Sequence, residues 1–275
     1  MKDKQYLIAV DLDGTLLSGF DQYDDKSFEL LKGLAKEHYV VIATGRPLRS
    51  SKYYYDLLGL DTPIINYNGA LVHNPAHLDF PKQMVYIERE DLFQFLHDNE
   101  ALITNAFCEI EDDIYLYRET KEVLPYLHLE GGNLRIGHLE EILPSNPNGA
   151  IIFSHVGSES ILENYVHEHF NGRVQLRFWY VEDTVVSEFY NPITSKAHAL
   201  RFICNHYHIA HEFTIAIGDG HNDIEMIEFA KYGVAMGNAH PDLIKSAKYL
   251  TSTIQENGVY YFLNSFFNEN GYHQE

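Results

Sequence analysis

The sequence predicts an α/β fold: a doubly wound parallel-sheet core of the Rossmann-like kind, interrupted by an inserted α+β domain. Three observations carry that expectation. Short apolar runs rich in β-formers, at 6–10, 39–43 and 63–66 early in the chain and at 213–217 and 233–236 late, alternate with amphipathic stretches of helix length. Each run ends in a polar cluster. Between the two halves, from Gln83 to about Val186, the alternation breaks down into a different mixture of strands and helices. The expected organisation is therefore a discontinuous core, 1–82 and 187–275, around an insert at 83–186.

The first run, 6–10, reads as a buried strand and ends in Asp11, Leu12, Asp13, Gly14 and Thr15. Two acids one residue apart would be costly inside a sheet, so they belong just past the strand's C-terminal end. Open α/β sheets bind their ligands at that edge, and Gly14 lets the chain turn away tightly. Two such carboxylates can share a divalent cation or act separately as nucleophile and general acid/base. A solvated turn with a capping aspartate is the plain alternative. The stretch from Phe20 to Lys26 is polar, and a helix is expected over 26–38 with Phe28, Leu31, Leu34 and Ala35 on one face.

The second strand, 39–43, runs into Thr44, Gly45, Arg46 and Pro47. A hydroxyl, a glycine amide and the start of a helix make a small anion cradle there, with Pro47 suited to the first helical turn. Thr44 alone would equally serve as a helix cap. Tyr53, Tyr54 and Tyr55 fall within that helix and read as packing. A third strand, 63–66, leads into Tyr67, Asn68, Gly69 and Ala70, and 73–82 reads as a linker.

In the insert, strands are expected at 84–87, 102–108, 114–117, 150–155 and 174–180, and helices at 91–99, 120–130 and 159–170. The Gly-, Pro- and Asn-rich segment before Ala150 reads as loop. One antiparallel sheet with helices on one face would accommodate them. Tyr115, Tyr117, Trp179 and Tyr180 either line a face of this insert or fill its core. The core texture then returns. A helix opens near Lys196 and runs to about Tyr207; the strand at 213–217 ends in Gly218, Asp219, Gly220, His221, Asn222 and Asp223; the strand at 233–236 ends in Gly237, Asn238 and Ala239; helices are expected at 241–247 and 259–267.

Composition narrows the partners. The 275 residues carry 40 acids against 20 bases, a formal charge of −20, which argues against nucleic acid or an anionic membrane as partner. A phosphorylated substrate would need local positive charge to overcome that field. The two cysteines, Cys108 and Cys204, are far apart and form no C-x-x-C pair, which fits buried thiols in a reducing compartment. No apolar run approaches a signal peptide or a membrane span, so the cytoplasm is the expected setting. His167/His169 and His206/His208 look metal-like, but residues two apart on a helix face away from each other, so solvated histidines are expected.

The polar clusters at Asp11/Asp13, Thr44, Lys196 and Asp219/Asn222/Asp223 would share one edge of one sheet, with acids for a metal or nucleophile beside a hydroxyl and a lysine for phosphate. Their order along the chain resembles that of the haloacid dehalogenase superfamily of phosphotransferases. The large insert between Thr44 and Lys196 resembles the α/β cap of the Cof-like phosphatases, as do the segments at 66–70, 234–239 and 256–259. One departure is Ala197, where many relatives have glycine after the lysine.

By that resemblance Asp11 is a nucleophile forming an aspartyl-phosphate, and Asp13 protonates the leaving alcohol and then activates water. The resemblance also implies Mg2+ held by Asp11, Asp219 and Asp13, the last through its backbone carbonyl, with Asp223 binding it directly or orienting its water shell. Thr44, the amides of Gly45 and Leu12, Lys196 and Asn222 would hold the phosphoryl oxygens; Arg46 and Asn68 would touch substrate beyond the phosphate. Asp13, where ion-pumping relatives have threonine, favours a phosphatase or a phosphomutase. The implied substrate is a small phosphorylated metabolite, sugar phosphates first, chosen by the cap. A sugar phosphomutase and a non-catalytic phosphometabolite sensor stay open as alternatives, and the oligomeric state is not read from the sequence.

Overall fold

Strand β1, Leu7–Val10, is buried along its whole length, as a near-continuous apolar run requires. The computed structural model describes residues 5–19, 22–181 and 184–269, with backbone alone for 180, 181, 268 and 269. After β1 comes a small hairpin that the sequence did not suggest, β2 (Leu17–Gly19) with β3 (Gln22–Tyr23); Phe20 lies outside the described residues. Helix α1 (Asp25–Leu34) starts on Asp24, whose carboxylate accepts from Ser27 N at 3.1 Å. It buries Phe28 and Leu31 and stops short of His38, its last residues closing in tight turns after Gly33. Next come β4 (Tyr39–Ile42), α2 (Leu48–Leu58), β5 (Ile64–Asn66), β6 (Leu71–His73) and β7 (Gln83–Met84). In α2, Tyr54 and Tyr55 are buried, the latter donating to Thr62 O at 2.7 Å, while Tyr53 is exposed.

The middle of the chain holds α3 (Arg89–Asp98), β8 (Ile103–Ile110), β9 (Asp113–Leu116), β10 (Asn133–Ile136), α4 (Leu139–Ile142), β11 (Gly149–Ser154), α5 (Glu159–His169), β12 (Gln175–Val181) and β13 (Thr184–Tyr190). The last part holds α6 (Lys196–Tyr207), β14 (Thr214–Gly218), α7 (Ile224–Phe229), β15 (Tyr232–Ala235), α8 (Pro241–Ser246), β16 (Tyr249–Leu250) and α9 (Gly258–Asn264), which continues as a wider π turn over Ser265–Glu269. Two compact units result. One contains the described residues up to Arg46, Ser51–Gln83 and those from Ser195 on; the other contains Pro47–Ser50 and Met84–Thr194.

In the first unit, five parallel strands lie in the order β16-β15-β14-β1-β4. β1 pairs with β4 on one side (Val10 opposite Ile42) and with β14 on the other (Val10 opposite Ile217). The chain winds outward in one direction from β1 and in the other from β14, so the order reverses between these two central strands. That reversal opens a crevice at their C-terminal ends. Burying a Leu or Ile side chain contributes about 1.5–3 kcal/mol. The apolar residues of β1 therefore fix the strand's register far more firmly than the polar residues that follow it.

The third expected strand needs a correction. β5 does not extend the parallel sheet as a full member. It pairs antiparallel with β6 in a three-stranded sheet β5-β6-β7, and meets β4's end through a single parallel bridge, Ala43 to Ile65. The cause is the turn at Tyr67–Gly69, whose positive φ angles fold the chain straight back on itself.

The second unit is one six-stranded sheet, β10-β9-β8-β11-β13-β12, antiparallel except for the β9–β10 pair. One face carries α3, α4 and α5, which pack Leu92, Phe95, Leu139, Leu162 and Val166 against Ala106, Cys108, Ile152 and Phe189. Tyr115 belongs to that core and Tyr117 packs on it, while Trp179 packs against the cluster on the opposite face; the side chain of Tyr180 lies outside the described residues. The helix expected at 120–130 is absent: the segment makes one 3-10 turn, Leu124–Tyr126. Pro125 removes a backbone donor and clashes with the preceding turn, and His128 at φ 43 ends any helical path. Val123 and Leu127 instead cover the second face of the sheet. The segment read as loop before Ala150 contains β10 and α4, four residues each, too short for their periodicity to show. The strand expected at 84–87 is confined to β7, and Ile87 goes into the helix-side core instead.

Both cysteines are free and buried, and burial raises the Cys204 thiol to about 11. His167, His169, His206 and His208 are exposed. Among the described residues, no helix is long and apolar enough to cross a membrane.

Candidate active site

The crevice of the first unit collects side chains from four chain segments. Asp11 follows β1, Thr44 follows the β4 bridge, Lys196 opens α6 and Asp219 follows β14. The centre is Lys196, which is fully buried. Ser195 caps α6 by accepting from His198 N at 3.1 Å, and this fixes the first turn from which Lys196 projects. Its Nζ donates to Asp11 Oδ1 and to Asp223 Oδ1, each at 2.6 Å. Asp223 Oδ2 in turn accepts from the amides of Asp219 and Gly220, both at 3.0 Å. One carboxylate thus ties the loop after β14 to the lysine of α6.

Asp11, Asp219 and Asp223 each offer an oxygen, and these oxygens lie within 4.8 Å of one another. When ionised, three carboxylates outweigh the single ammonium. The excess of negative charge shows in the proton affinities of Asp11 and Asp219. Burial, reinforced by Asp223 and Asp219 and opposed by Lys196, holds the Asp11 carboxyl well above the usual carboxylate range. Burial and then Asp223 push Asp219 up to about 7, although the hydroxyl of Thr15, donating to Asp219 Oδ1 at 3.0 Å, works the other way. For Lys196, burial works against the charge, but Asp11 and Asp223 outweigh it and hold the ammonium above its ordinary value. A close set of hard carboxylate oxygens with surplus negative charge fits a divalent cation of the magnesium or calcium type. Gly14 makes the approach possible: at φ +80 it turns under the cluster, where a Cβ would lie 2.1 Å from Asp219 Oδ2.

Asp13 has a separate place. Its side chain is 56% exposed, and both oxygens accept from Arg46, Nε at 2.8 Å and Nη2 at 2.5 Å. Its carboxylate is not one of the three that cluster. Burial pulls the Arg46 guanidinium down, and the hydrogen bonds and charge of Asp13 more than reverse this, so it stays raised. Leu12, between the two acids, is fully buried, and its carbonyl gathers the amides of Thr15, Leu16 and Leu17 into the turn.

The remaining expected residues form a second rim. Thr44 is fully buried; its Oγ1 accepts from Arg46 N at 3.1 Å, which leaves the hydroxyl proton to donate elsewhere. Gly45 follows it at the surface. Asn222 donates through Nδ2 to Asn68 Oδ1 at 2.9 Å. The structure therefore brings the expected residues to one sheet edge in two groups, Asp11/Lys196/Asp219/Asp223 and Thr44/Gly45/Asn68/Asn222, with Asp13–Arg46 as a distinct pair.

Three contributors escaped sequence reasoning. Thr15 orients Asp219. Asn238 donates to Gly14 O at 2.8 Å and accepts from Ile254 N at 3.0 Å, joining the turn after β1 to the loop after β15. Asn66, fully buried, donates to Arg46 O at 2.9 Å and to Ser51 Oγ at 3.0 Å. Thr15 and Asn238 follow a strand by a few residues and Asn66 ends β5, and that position was the available signal.

This arrangement has known counterparts. Residues 8–263 match the family model of haloacid dehalogenase-like hydrolases. The 5-amino-6-(5-phospho-D-ribitylamino)uracil phosphatase YitU of Bacillus subtilis (strain 168) is 33% identical over 269 residues, covering 97% of this chain and 99% of that one. An HMP-PP phosphatase of Serratia proteamaculans (strain 568) is 29% identical over 242 residues, 86% and 85% of the two chains. Among solved structures, a haloacid dehalogenase-like hydrolase from Bacteroides thetaiotaomicron superposes with a TM-score of 0.80 at 25% identity, covering 96% of this chain and 100% of that one. The chain belongs to the haloacid dehalogenase-like hydrolases and, like the phosphatases it matches, is a phosphoric monoester hydrolase.

Proposed function

We propose that the protein is a Mg2+-dependent phosphatase of small phosphorylated metabolites that works through an aspartyl-phosphate on Asp11. The single observation that carries this is Lys196: fully buried, it grips one oxygen of Asp11 and holds Asp223 in the same hydrogen-bonded set. Asp11 is thus oriented, and its other oxygen is left for attack. Phosphatases of this superfamily use a divalent metal, and Asp11, Asp219 and Asp223 are the residues that would hold it here. When bound, Mg2+ supplies positive charge that offsets the repulsion between a carboxylate and a phosphate dianion.

The chain's own residues do the rest. Asp11 Oδ2 attacks phosphorus, and the bond from phosphorus to the alcohol oxygen breaks. Asp13, which must be in its neutral form at this step, gives its proton to that oxygen. Asp13 then takes a proton from water, the water oxygen attacks phosphorus, and the bond to Asp11 breaks, releasing inorganic phosphate. Covalent catalysis splits one hard displacement into two easier ones. Lys196, the Thr44 hydroxyl, the amides of Gly45 and Leu12, and Asn222 stabilise the equatorial oxygens where charge gathers. Arg46 orients Asp13.

Substrate choice is assigned to the inserted unit, with 1–82 and 187–275 as the catalytic core and 83–186 as the cap in functional terms. The work is placed in the cytoplasm. The name of the Bacillus subtilis relative puts an open-chain ribityl phosphate on an aminopyrimidine first among substrates to try. The test is phosphate release from a panel of that compound, sugar phosphates, pyridoxal phosphate and nucleotides, with Mg2+ and with chelator. Release that needs Mg2+ is expected. Interconversion of isomers without release would replace the reading with a mutase, and stabilisation by ligand without any turnover would replace it with a sensor.

A further inference from the structure

The turn after β5 makes contacts that the reaction as proposed does not use. Tyr67, Asn68 and Gly69 have φ of 51, 53 and 103, three left-handed residues in a row. Asparagine tolerates that region better than most residues, but a run of this kind persists only where its surroundings hold it. Here the surroundings are the phosphate-binding segments. Asn68 N donates to Thr44 O at 3.1 Å. Asn68 Oδ1 accepts from Asn222 Nδ2 at 2.9 Å. Gly45 packs on the same side chain: a Cβ at Gly45 would lie 3.0 Å from Asn68 Oδ1. Gly69 lies against the start of α6, where a Cβ would come within 2.2 Å of Ser195 O, one residue before Lys196. Asn68 itself is buried.

We infer that Asn68 is a positioning residue for phosphoryl binding: it sets the plane of the Asn222 amide and locks it to the Thr44–Gly45 segment. This rests on the phosphate-binding role proposed above for Asn222, Thr44 and Gly45. The Asn222 amide nitrogen has two hydrogens. Asn68 Oδ1 accepts one, which fixes the rotamer and keeps the nitrogen, not the carbonyl oxygen, on the side of Asn68 and Gly45. The second hydrogen is left for an anion. Without the acceptor the amide can turn over and present its carbonyl oxygen, which repels phosphate.

Glycine relieves the positive φ and removes the acceptor, so Asn68→Gly separates the two roles. Asn68→Ala removes the acceptor and keeps the strain. Binding of inorganic phosphate in Mg2+ would be measured by calorimetry, and KM and kcat with p-nitrophenyl phosphate, for the wild type, both Asn68 variants, Asn222→Ala and the Asn68→Gly/Asn222→Ala pair. The expected result is about tenfold weaker phosphate binding and about tenfold higher KM in Asn68→Gly, the worth of one hydrogen bond to a charged group, with kcat changed less. The double variant should be no weaker than Asn222→Ala alone. Wild-type affinity in Asn68→Gly would overturn the proposal and leave Asn68 a conformational role only. Losses that multiply in the double variant would overturn it too, as would a wild type that binds no phosphate. A wild type that binds phosphate yet hydrolyses no ester would sink the phosphatase reading, while the binding series still decides the role of Asn68.

Discussion

Asp11 and Asp13 stand two residues apart on one turn, yet they occupy opposite physical settings. Asp11 is buried among two other carboxylates and an inaccessible lysine; the Asp13 side chain is 56% exposed and clasped by an arginine. A continued pleat would put residues two apart on one face. Here the turn closed on the Leu12 carbonyl takes Asp13 out of strand geometry to Arg46, while Asp11 stays in the crevice beside β14. The difference suits the two roles proposed for them. A nucleophile must be held rigidly beside positive charge, whereas a proton carrier must move between a leaving group and water. In a dry site a misplaced charge costs several kcal/mol; at a half-exposed one, solvent screens it.

The largest effect should come from the buried side. Asp11→Asn keeps the shape and removes the attacking charge, so turnover should fall by on the order of 10⁴-fold or more, as when nucleophiles are removed elsewhere. The melting curve should stay close to wild type, because Lys196 keeps Asp223 as a partner. Residual phosphate release within a factor of ten of wild type would end the nucleophile assignment. Next comes Lys196→Met. It leaves Asp11 and Asp223 uncompensated in a buried site, and losses of about 3–5 kcal/mol are typical when one partner of a buried pair is removed. Chemical denaturation would measure it. A loss below about 1 kcal/mol would mean that the site is wetter than its burial implies.

The exposed side should respond in the reverse manner. Arg46→Ala should cost less stability than Lys196→Met, about 1–2 kcal/mol, since the Arg46 side chain is itself buried but its partner Asp13 is open to solvent. Turnover should fall about 10–100-fold, because the proton carrier loses both bonds that aim it. Rates and melting temperatures measured together decide the matter. A rise in turnover would show that Arg46 restrains Asp13 and does not orient it.

The same contrast explains what could be read in the sequence. The crevice was legible because its residues follow buried strands, and a charged residue directly after an apolar run has few places to go. Asp11, Thr44 and Asp219 were found on that ground; Lys196 was found through its place at a helix start and the family resemblance. The Asp13–Arg46 pair was not legible, since it joins two tips through side-chain reach, and no periodicity encodes reach. Asn238 and Thr15 were hidden for the same reason. The hairpin of β5 with β6 was missed because the turn at Tyr67–Gly69 relies on positive φ at two non-glycine residues, a conformation only their tertiary partners enforce. In the insert, the segment at 120–130 had helical spacing, but Pro125 overrode it.

The smallest effect separates the two sides by pH. Asp219 titrates at about 7 in the folded protein against an ordinary 3.8, raised first by burial and then by Asp223. Between those values the folded state holds more protons than the unfolded state. The sign is therefore fixed: through this group, stability of the metal-free protein falls as pH rises across that window. Asp11 acts in the same direction. A divalent cation binds the ionised cluster, so it should restore what ionisation removes. The gain in Tm on adding Mg2+ over chelator should be small near pH 5 and grow through about pH 7 to a few degrees. Thermal melts at several pH values in both conditions would show it. In Arg46→Ala the profile should change little, because Asp13 ranks below burial, Asp223, Thr15 and Lys196 among the influences on Asp219. A Mg2+ gain that is flat from about pH 5 to 8 would place the cation somewhere other than among Asp11, Asp219 and Asp223.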